Sequence, residues 1–261
     1  MSARDARPWR TVRLVLAALA LLLWAALTPW NIHGLPAASH PCSTYDEAMG
    51  RAAALQARET SAMNPRCRLQ LMTHGARTER CVVLVHGYSA CPDQFHELGE
   101  RFFARGDNVL IAPLPHHGLA DRMTPEHARL TAEELASYAD EVVDLARGLG
   151  TRVIMMGISA GGTTTAWAAQ HRSDLDLAVL ISPVFGFRQI PTSLTAAAMN
   201  FYSWRPNAFA WWDPAHRADT TGSPSYRATR RAPWPRRSGW ASRRGRSRAA
   251  SRQRRVASSW C

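Results

Sequence analysis

The sequence predicts an α/β fold, in which a mostly parallel sheet with flanking helices lacks its last strands and follows an N-terminal transmembrane helix. From about residue 66, short apolar runs alternate with helical stretches, which is typical of a parallel sheet covered by helices. The run Cys81–Val85 is continuously apolar, as expected for a central strand buried on both faces. After Leu177–Ile181 no further strand is readable. The 261 residues are enough for one such domain.

The N-terminal segment has the pattern of an export signal or a membrane anchor. Arginines in the basic stretch 1–11 precede the unbroken apolar run Leu14–Leu27. Extended over residues 12–32, the segment has about the 20 residues that a helix needs to span a bilayer, and its arginines place the N-terminus in the cytoplasm. We therefore expect a membrane-anchored protein whose domain is extracytoplasmic. A cleavable signal peptide, giving a secreted protein, is the alternative, and a buried N-terminal helix is the third.

Residues 33–65 are expected to form a linker or N-terminal extension. Four cysteines fall in the body of the chain, an even number that is compatible with one or two disulfides after export: Cys42, Cys67, Cys81 and Cys91. Spacing does not determine their pairing. Cys81 opens a predicted buried strand, where a free thiol packs as a small apolar group, so Cys42 with Cys67 is the preferred pair.

The elements of the predicted core, residues 66–184, follow from apolar runs and capping signals. Thr131, with Glu134 three residues later, is a capping signal for a helix that Gly148 and Gly150 end. In order, the predicted elements are strands at Arg68–Met72 and Cys81–Val85, a helix at about Asp93–Arg105, strand Asn108–Ala112, helix Ala132–Arg147, strand Arg152–Met156, helix Ala160–His171 and strand Leu177–Ile181.

A Gly-x-Ser-x-Gly motif, Gly157-Ile158-Ser159-Ala160-Gly161, lies between a predicted strand and a predicted helix. This context indicates a nucleophile elbow, in which a sharp turn exposes the serine hydroxyl. The glycines permit the tight turn and close helix packing, and the helix directs its N-terminal amides at a developing oxyanion. Ser159 is therefore the candidate nucleophile; the alternative is an ordinary glycine turn.

A second motif, Val85-His86-Gly87-Tyr88, ends the earlier central strand. We expect this motif to supply the Tyr88 amide, which together with the Ala160 amide forms the two donors of an oxyanion hole. We interpret His86 as a structural histidine that orients this loop, because a general base must reach Ser159 itself.

These motifs make residues 66–183 resemble the α/β-hydrolase superfamily, in particular bacterial esterase/lipase-like serine hydrolases. The segment Leu114–Asp121 is similar to the Pro-Gly-His-Gly-x-Ser loop of the monoacylglycerol-lipase-like members. The resemblance implies an α/β-hydrolase-type sheet and cleavage of carboxylic esters, from a small molecule or a lipid, through an acyl-serine at Ser159. Tyr88 and Ala160 carry over as oxyanion donors by motif position. Nothing in the sequence indicates a cofactor or a metal site.

The resemblance also implies a catalytic acid after a seventh strand and a histidine after an eighth. Leu177–Ile181 is the last readable strand and is counted as the sixth, so the acid and the histidine remain unknown. We expect an impaired or inactive chain with an exposed, aggregation-prone sheet edge. The rival functions are a non-catalytic binding pseudoenzyme and an acyltransferase that uses the same elbow.

Other histidines are weak substitutes for the missing base. His216, with Asp213 or Asp219, has the right residue types but precedes any later strand. The expected role of His116 and His117 is to line a pocket or to order their loop, and that of His171 is to place a C-terminal charge on the helix dipole.

Residues 185–226 form a cap-like segment rich in aromatic residues, with Trp204, Trp211 and Trp212 among them. These side chains either line an apolar acyl pocket or pack the cap on the core.

Residues 227–261 hold 12 arginines and no acidic residue, which accounts for the net charge of +12. Because this tail has almost no large aliphatic residues, we expect it to be disordered and to build no strand or helix with a core face. The whole chain lacks lysine, and we hypothesise a frameshift of a G/C-rich gene near Ser223–Arg230. The alternative is a basic arm for nucleic acid or anionic lipid, but no nucleic-acid motif precedes it, so no nucleic-acid partner is expected.

Overall fold

The computed structural model describes residues 6–28, 34–186, 190–204, 209–211 and 228–230. The helices are α1 (Ala6–Leu27), α2 (Tyr45–Ala57), α3 (His96–Phe103), α4 (Ala132–Leu149), α5 (Ala160–His171) and α6 (Thr195–Trp204), and the strands are β1 (Gln70–Met72), β2 (Thr78–Val85), β3 (Asn108–Ile111), β4 (Gly150–Ile158), β5 (Leu177–Ile181), β6 (Phe209–Trp211) and β7 (Ala228–Arg230). Short 3-10 turns lie at Pro65–Cys67, Pro92–Phe95, Glu126–Arg129 and Thr192–Leu194.

A five-stranded sheet with the order β1-β3-β2-β4-β5 is the centre of the fold. β1 is antiparallel to β3, and every other pairing is parallel. Residues Cys81–Val85 of β2 are completely buried because α4 and α5 cover one face and α3 lies on the other side. This arrangement confirms the predicted mostly parallel sheet with flanking helices. Among the described residues, no strand joins this sheet after β5, which is the fifth strand along the chain.

The best predicted elements carry strong local signals. The Thr131 hydroxyl accepts the Glu134 amide, while the Glu134 carboxylate accepts the Thr131 amide at 2.8 Å, so α4 begins at its capping box as expected. The ends of α5 and β5 also agree with the predicted ranges. β4 is longer than predicted because its pairing with β2 extends from Gly150 to Gly157.

The segment 33–65 is more than a linker, since it contains helix α2. Thr44 caps α2 by accepting the Glu47 amide, and Ala48 and Ala52 pack against the core beside α4. The alanine-rich sequence lacks the large apolar residues that make a helix face recognisable, and the capping signal at Thr44 was the one available indication.

The buried Arg172 side chain, just after α5, hydrogen-bonds to three carboxylates. Its guanidinium donates to Asp140 at 2.9 Å, to Asp144, and to both oxygens of Asp174 at 2.7 and 2.8 Å. The remaining oxygens of Asp140 and Asp144 accept the amides of Ala38 and His40. Arg172 thus holds Asp140 and Asp144 in the position from which they bind the extended segment before α2 to helix α4. We call the four charged side chains of Arg172, Asp140, Asp144 and Asp174 the Arg172 cluster.

The structure corrects the predicted disulfide. Cys67 is bonded to Cys91, while Cys42 and Cys81 are free and buried. Burial raises the pKa of both free thiols, so they are poor nucleophiles. The preferred pair was wrong because the turns before β1 and after β2 meet in space, which sequence spacing does not reveal.

Replacing both Cys67 and Cys91 by alanine is expected to lower the free energy of unfolding by about 3 kcal/mol, because the crosslink closes a loop with a sequence separation of 24. Urea unfolding of the full chain in detergent measures the change. A reductant is expected to destabilise the parent chain and to leave the double variant unaffected. A parent chain indifferent to the reductant would contradict the stabilising role.

Helix α1 begins earlier than the predicted span 12–32 and includes part of the stretch taken as a cytoplasmic tail. By length and composition, Trp9–Leu27 is long and apolar enough to cross a membrane, and the same criteria also fit a signal sequence. Its large apolar side chains are exposed, as Leu21 and Leu22 show at 66%. Residues 29–32 of the predicted span lie outside the described residues.

The cap-like segment and the tail are described only in part. The segment contains helix α6, which contacts α1, and Asn200 of α6 donates to the carbonyls of Ala26 and Thr28. The expectation that the tail forms no strand was wrong for its first residues, because β7 pairs antiparallel with β6 in a separate two-stranded sheet. Trp212 and residues 231–261 lie outside the described part of the chain.

Candidate active site

Ser159 lies at the sharp turn between β4 and α5. Its backbone has φ 55° and ψ −115°, a left-handed conformation that non-glycine residues rarely adopt and that costs about 1–3 kcal/mol. The Ser159 amide donates to the Ile181 carbonyl at 3.0 Å, and the Ser159 carbonyl accepts the Thr163 amide. The turn is thus fastened to β5 on one side and to α5 on the other.

Gly157 and Gly161 allow three backbone segments to meet at this turn. A Cβ atom on Gly157 would overlap the Gly161 carbonyl, and one on Gly161 would overlap the carbonyls of Val85 and His86 at the end of β2. Both positions therefore require glycine because backbone atoms, which cannot move aside, fill the space. The close approach brings the start of α5 directly against the loop after β2.

The loop after β2 lies beside the serine. Val85 pairs with Gly157, so β2 and β4 end together, and a Cβ built on Gly87 would lie 3.6 Å from the Ser159 Cβ. Ala160, as the first residue of α5, has an amide without an intrahelical acceptor. The structure thus brings together Ser159, the Gly87–Tyr88 peptide and the Ala160 amide.

His86 is buried and engaged with backbone on both sides. Its Nδ1 donates to the Gly87 carbonyl at 2.8 Å, and its Nε2 accepts the Leu114 amide at 2.9 Å. Burial lowers the pKa of His86 to about 3, so the ring is neutral, which agrees with one donating and one accepting nitrogen. Because both ring nitrogens hydrogen-bond to backbone groups, His86 holds the loop after β2 against the loop after β3 rather than transferring a proton at Ser159.

His117 is also buried, and it contacts the same loop. Its Nε2 lies 2.7 Å from the Tyr88 carbonyl, and its Nδ1 lies 2.8 Å from the Pro115 carbonyl. Burial lowers the pKa of His117 to about 4, although both carbonyls favour N–H on the ring. The Tyr88 ring packs edge-on against His117 with centroids 5.3 Å apart.

His116 occupies a left-handed conformation, with φ 62°, at the place where the similar family loop has glycine. Its Nε2 lies 2.9 Å from a Glu134 oxygen. Burial raises the pKa of Glu134, but the hydrogen bonds from His116 and from the Thr131 amide outweigh it and lower that pKa. This pairing explains how a side chain is held at a position that favours glycine.

His116 and His117 line a pocket, but this pocket is not the cleft at Ser159 where they were expected. Both histidines line a cavity of about 380 Å³, whose other walls come from α2, the segment that follows it, the loop after β3 and α4, and Ser159 does not line it. Apolar side chains such as Leu55, Met63 and Val142 form much of its surface.

The remaining candidates provide no described base. His171 ends α5, twelve residues after the nucleophile and about 18 Å along the helix axis, and its Nδ1 contacts the Trp167 carbonyl. Asp213, His216 and Asp219 lie outside the described residues. Within the described ranges, no group of three or more metal-ligating side chains is close enough to hold a metal ion.

One contact in the site escaped sequence reasoning. The Gln94 carboxamide oxygen accepts the Gly87 amide at 3.0 Å, from a turn that the Cys67–Cys91 disulfide and an Arg66–Asp93 ion pair hold in place. No motif marks Gln94, because its role follows from the path of the chain after Tyr88.

Comparison with known families agrees with this geometry. Residues 76–251, about two thirds of the chain, match the family described as Serine aminopeptidase, S33 (Hydrolase_4). The match continues into the Arg-rich segment, so the likeness is not confined to the predicted core 66–184.

Individual relatives are more distant. A thermostable monoacylglycerol lipase from Bacillus sp. (strain H-257) is 26% identical over 120 residues, and the match covers 44% of each chain. Similar solved structures include the metagenome-derived lipolytic enzymes LipS and LipT (21% identity, 67% of each chain, TM-score 0.48) and a Paleococcus ferrophilus monoacylglycerol lipase (19% identity, 66% of this chain and 67% of that one, TM-score 0.46). The match to the Bacillus monoacylglycerol lipase therefore spans less than half of the length of that relative. The elbow, the sheet order and the family match together establish that the chain belongs to the Hydrolase_4 (serine aminopeptidase, S33) family of α/β hydrolases and is an esterase/lipase-like member of that superfamily.

Proposed function

We propose that this protein is a serine hydrolase that cleaves carboxylic esters of small molecules or lipids through an acyl-serine intermediate on Ser159. The observation that carries the proposal is the strained Ser159 turn beside the Gly87–Tyr88 peptide, at the ends of two adjacent parallel strands. In the first step the Ser159 oxygen attacks the ester carbonyl, the carbonyl oxygen becomes an oxyanion, and the alcohol leaves with a proton. Water then releases the acid and regenerates the serine.

The Tyr88 and Ala160 amides are the proposed oxyanion donors. All described peptide bonds are trans, so the Tyr88 N–H points opposite to the Gly87 carbonyl of the same peptide. Because His86 holds that carbonyl, it also fixes the direction of the Tyr88 N–H. A donor held in this way needs no reorganisation when the oxyanion forms, which is the usual source of electrostatic stabilisation.

The proposal includes impaired turnover in this chain. After Ser159 the sequence contains two histidines, His171 and His216. His171 contacts the Trp167 carbonyl at the end of α5, and His216 lies outside the described residues. A serine hydrolase without its base retains about 10³–10⁴-fold acceleration over water from binding and the oxyanion hole.

The proposed location is the extracytoplasmic side of a membrane, with α1 as the anchor. The apolar helix, the arginines before it and the Cys67–Cys91 disulfide support it, because structural disulfides persist in oxidising compartments. A secreted form after cleavage is the alternative.

Treatment of the full chain in lipid nanodiscs with a fluorophosphonate is expected to give a slow adduct at Ser159, mapped by mass spectrometry. Ser159→Ala is expected to remove the adduct. The matched control is Ser182→Ala, which changes another serine of positive φ at the end of the adjacent strand and should leave labelling intact.

Rapid labelling would contradict the impairment and would make His216 the next residue to replace. The absence of any adduct on a folded sample would contradict the serine-hydrolase proposal and would favour a non-catalytic binding protein.

A further inference from the structure

The peptide after Tyr88 is held by a side chain from a different loop. Tyr88 belongs to the segment after β2, whereas His117 belongs to the segment after β3, and the two residues are 29 positions apart. The His117 Nε2 lies 2.7 Å from the Tyr88 carbonyl, and the His117 side chain is almost completely buried. This contact therefore joins two loops inside the protein, where water does not compete for the hydrogen bond as it does at the surface.

The Tyr88 carbonyl lies in the peptide that follows the proposed oxyanion donor. His86 holds the carbonyl of the preceding peptide, so the two histidines fix the peptide units on both sides of the Tyr88 Cα. The Tyr88 hydroxyl adds a third point by donating to the His127 carbonyl at 3.0 Å. Rotation of the peptide unit that carries the Tyr88 N–H requires at least one of these contacts to break.

We propose that His117 is a positioning residue of the oxyanion hole, which acts by donating an Nε2–H hydrogen bond to the Tyr88 carbonyl. This inference rests on the proposed function, because it assigns a role to the loop that the hydrolysis requires. Both ring nitrogens face carbonyl oxygens, which only accept, and a neutral imidazole carries a single N–H, so the proposal places that proton on Nε2. The contact is also the shorter of the two that the ring makes with carbonyls, and the other one, to Pro115, lies within the loop of His117 itself.

Two variants separate the hydrogen bond from the shape of the side chain. His117→Phe keeps an aromatic ring and removes the donor, whereas His117→Gln removes the ring and keeps an N–H at the same reach. The matched control is His171→Phe, which removes an imidazole contact with a carbonyl, that of Trp167, at the far end of α5.

The primary readout is hydrogen exchange of the Ala90 amide, which donates to the Gly87 carbonyl at 3.0 Å and so reports on closure of the loop. His117→Phe is expected to speed this exchange about tenfold, the factor that corresponds to loss of about 1.4 kcal/mol. His117→Gln and His171→Phe are expected to retain the parent rate, and the Val83 amide of β2 should be unchanged in all three. An unchanged Ala90 rate in His117→Phe would overturn the proposal.

A second measurement needs no variant. The ¹⁵N spectrum of the histidine rings in the parent chain at pH 7 is expected to show a protonated Nε2 at His117. An unprotonated Nε2 would overturn the proposal even if His117→Phe failed to fold.

The rate of fluorophosphonate labelling distinguishes this inference from the proposed function. Slower labelling of His117→Phe with rescue by His117→Gln supports both. Faster Ala90 exchange together with an unlabelled parent chain supports the positioning of the loop and contradicts the hydrolase proposal. Equal labelling of parent and His117→Phe, despite faster Ala90 exchange, overturns the link between this loop and the oxyanion.

Discussion

Replacing Arg172 by leucine is expected to lower the free energy of unfolding by about 3–5 kcal/mol, because it leaves buried carboxylates without their cation. The Arg172 side chain has no exposed surface, and those of Asp140 and Asp144 are only 7% and 5% exposed. The loss also releases the segment that these carboxylates hold through the Ala38 and His40 amides. Urea unfolding of the full chain in detergent measures the change.

Arg129→Leu is the matched control, since Arg129 pairs with Glu126 at the surface with 68% of its side chain exposed. Its expected cost is below about 1 kcal/mol. Arg172→Lys keeps the charge but has three N–H donors in place of the four hydrogen bonds that Arg172 gives these carboxylates, so its effect is expected to fall between the two variants. Equal effects of the leucine substitutions at both positions would mean that the Arg172 cluster contributes nothing beyond an ordinary surface pair.

The Arg172 cluster is also expected to make the free energy of unfolding fall in acid. Hydrogen bonds from the Arg172 guanidinium lower the pKa of Asp174 below its usual value. A carboxyl with a lowered folded-state pKa stabilises the fold above its unfolded pKa, and this contribution is lost as the pH falls through the folded pKa. The parent chain is therefore expected to lose stability in acid more steeply than Arg172→Leu.

Gly161→Ala is expected to destabilise the fold by about 3 kcal/mol and to abolish labelling at Ser159. The added methyl would overlap the carbonyls of Val85 and His86, and relief requires separating α5 from the end of β2. That movement displaces both the serine and the proposed oxyanion donors. Thermal unfolding reports the first effect, and mass spectrometry of the phosphonylated protein reports the second.

Gly50→Ala provides the opposite control within the same protein. Gly50 is exposed in the middle of α2, and a Cβ there meets nothing within 4 Å. Alanine is expected to stabilise α2 by about 0.5–1 kcal/mol because it loses less backbone entropy than glycine. If both alanine variants behaved alike, crowding at Gly161 would not be the cause.

The sequence predicted the elements that carry strong local signals. The capping box defined α4, the continuous apolar run defined β2, and the glycine spacing defined the Ser159 turn and α5. Helix α2 was missed because its buried face is made of alanines, which differ little from a flexible segment in hydropathy.

The contacts that complete the site depend on residues distant in sequence. His117 contacts Tyr88 from 29 residues away, and the Cys67–Cys91 disulfide joins residues separated by β1 and β2. The Arg172 cluster joins charges 28 and 32 positions apart. No periodicity encodes such pairs, because they result from how the elements pack after each has formed.

The fastening of Ala38 to helix α4 limits how far the domain can travel from its proposed anchor. Helix α1 ends at Leu27, and Ala38 is already bonded to Asp140. Eleven residues of fully extended chain span at most about 40 Å. With α1 in a bilayer, the domain is therefore confined to a shallow layer next to the membrane, where its search for substrate is nearly two-dimensional and amphiphiles at that surface are encountered at a high effective concentration.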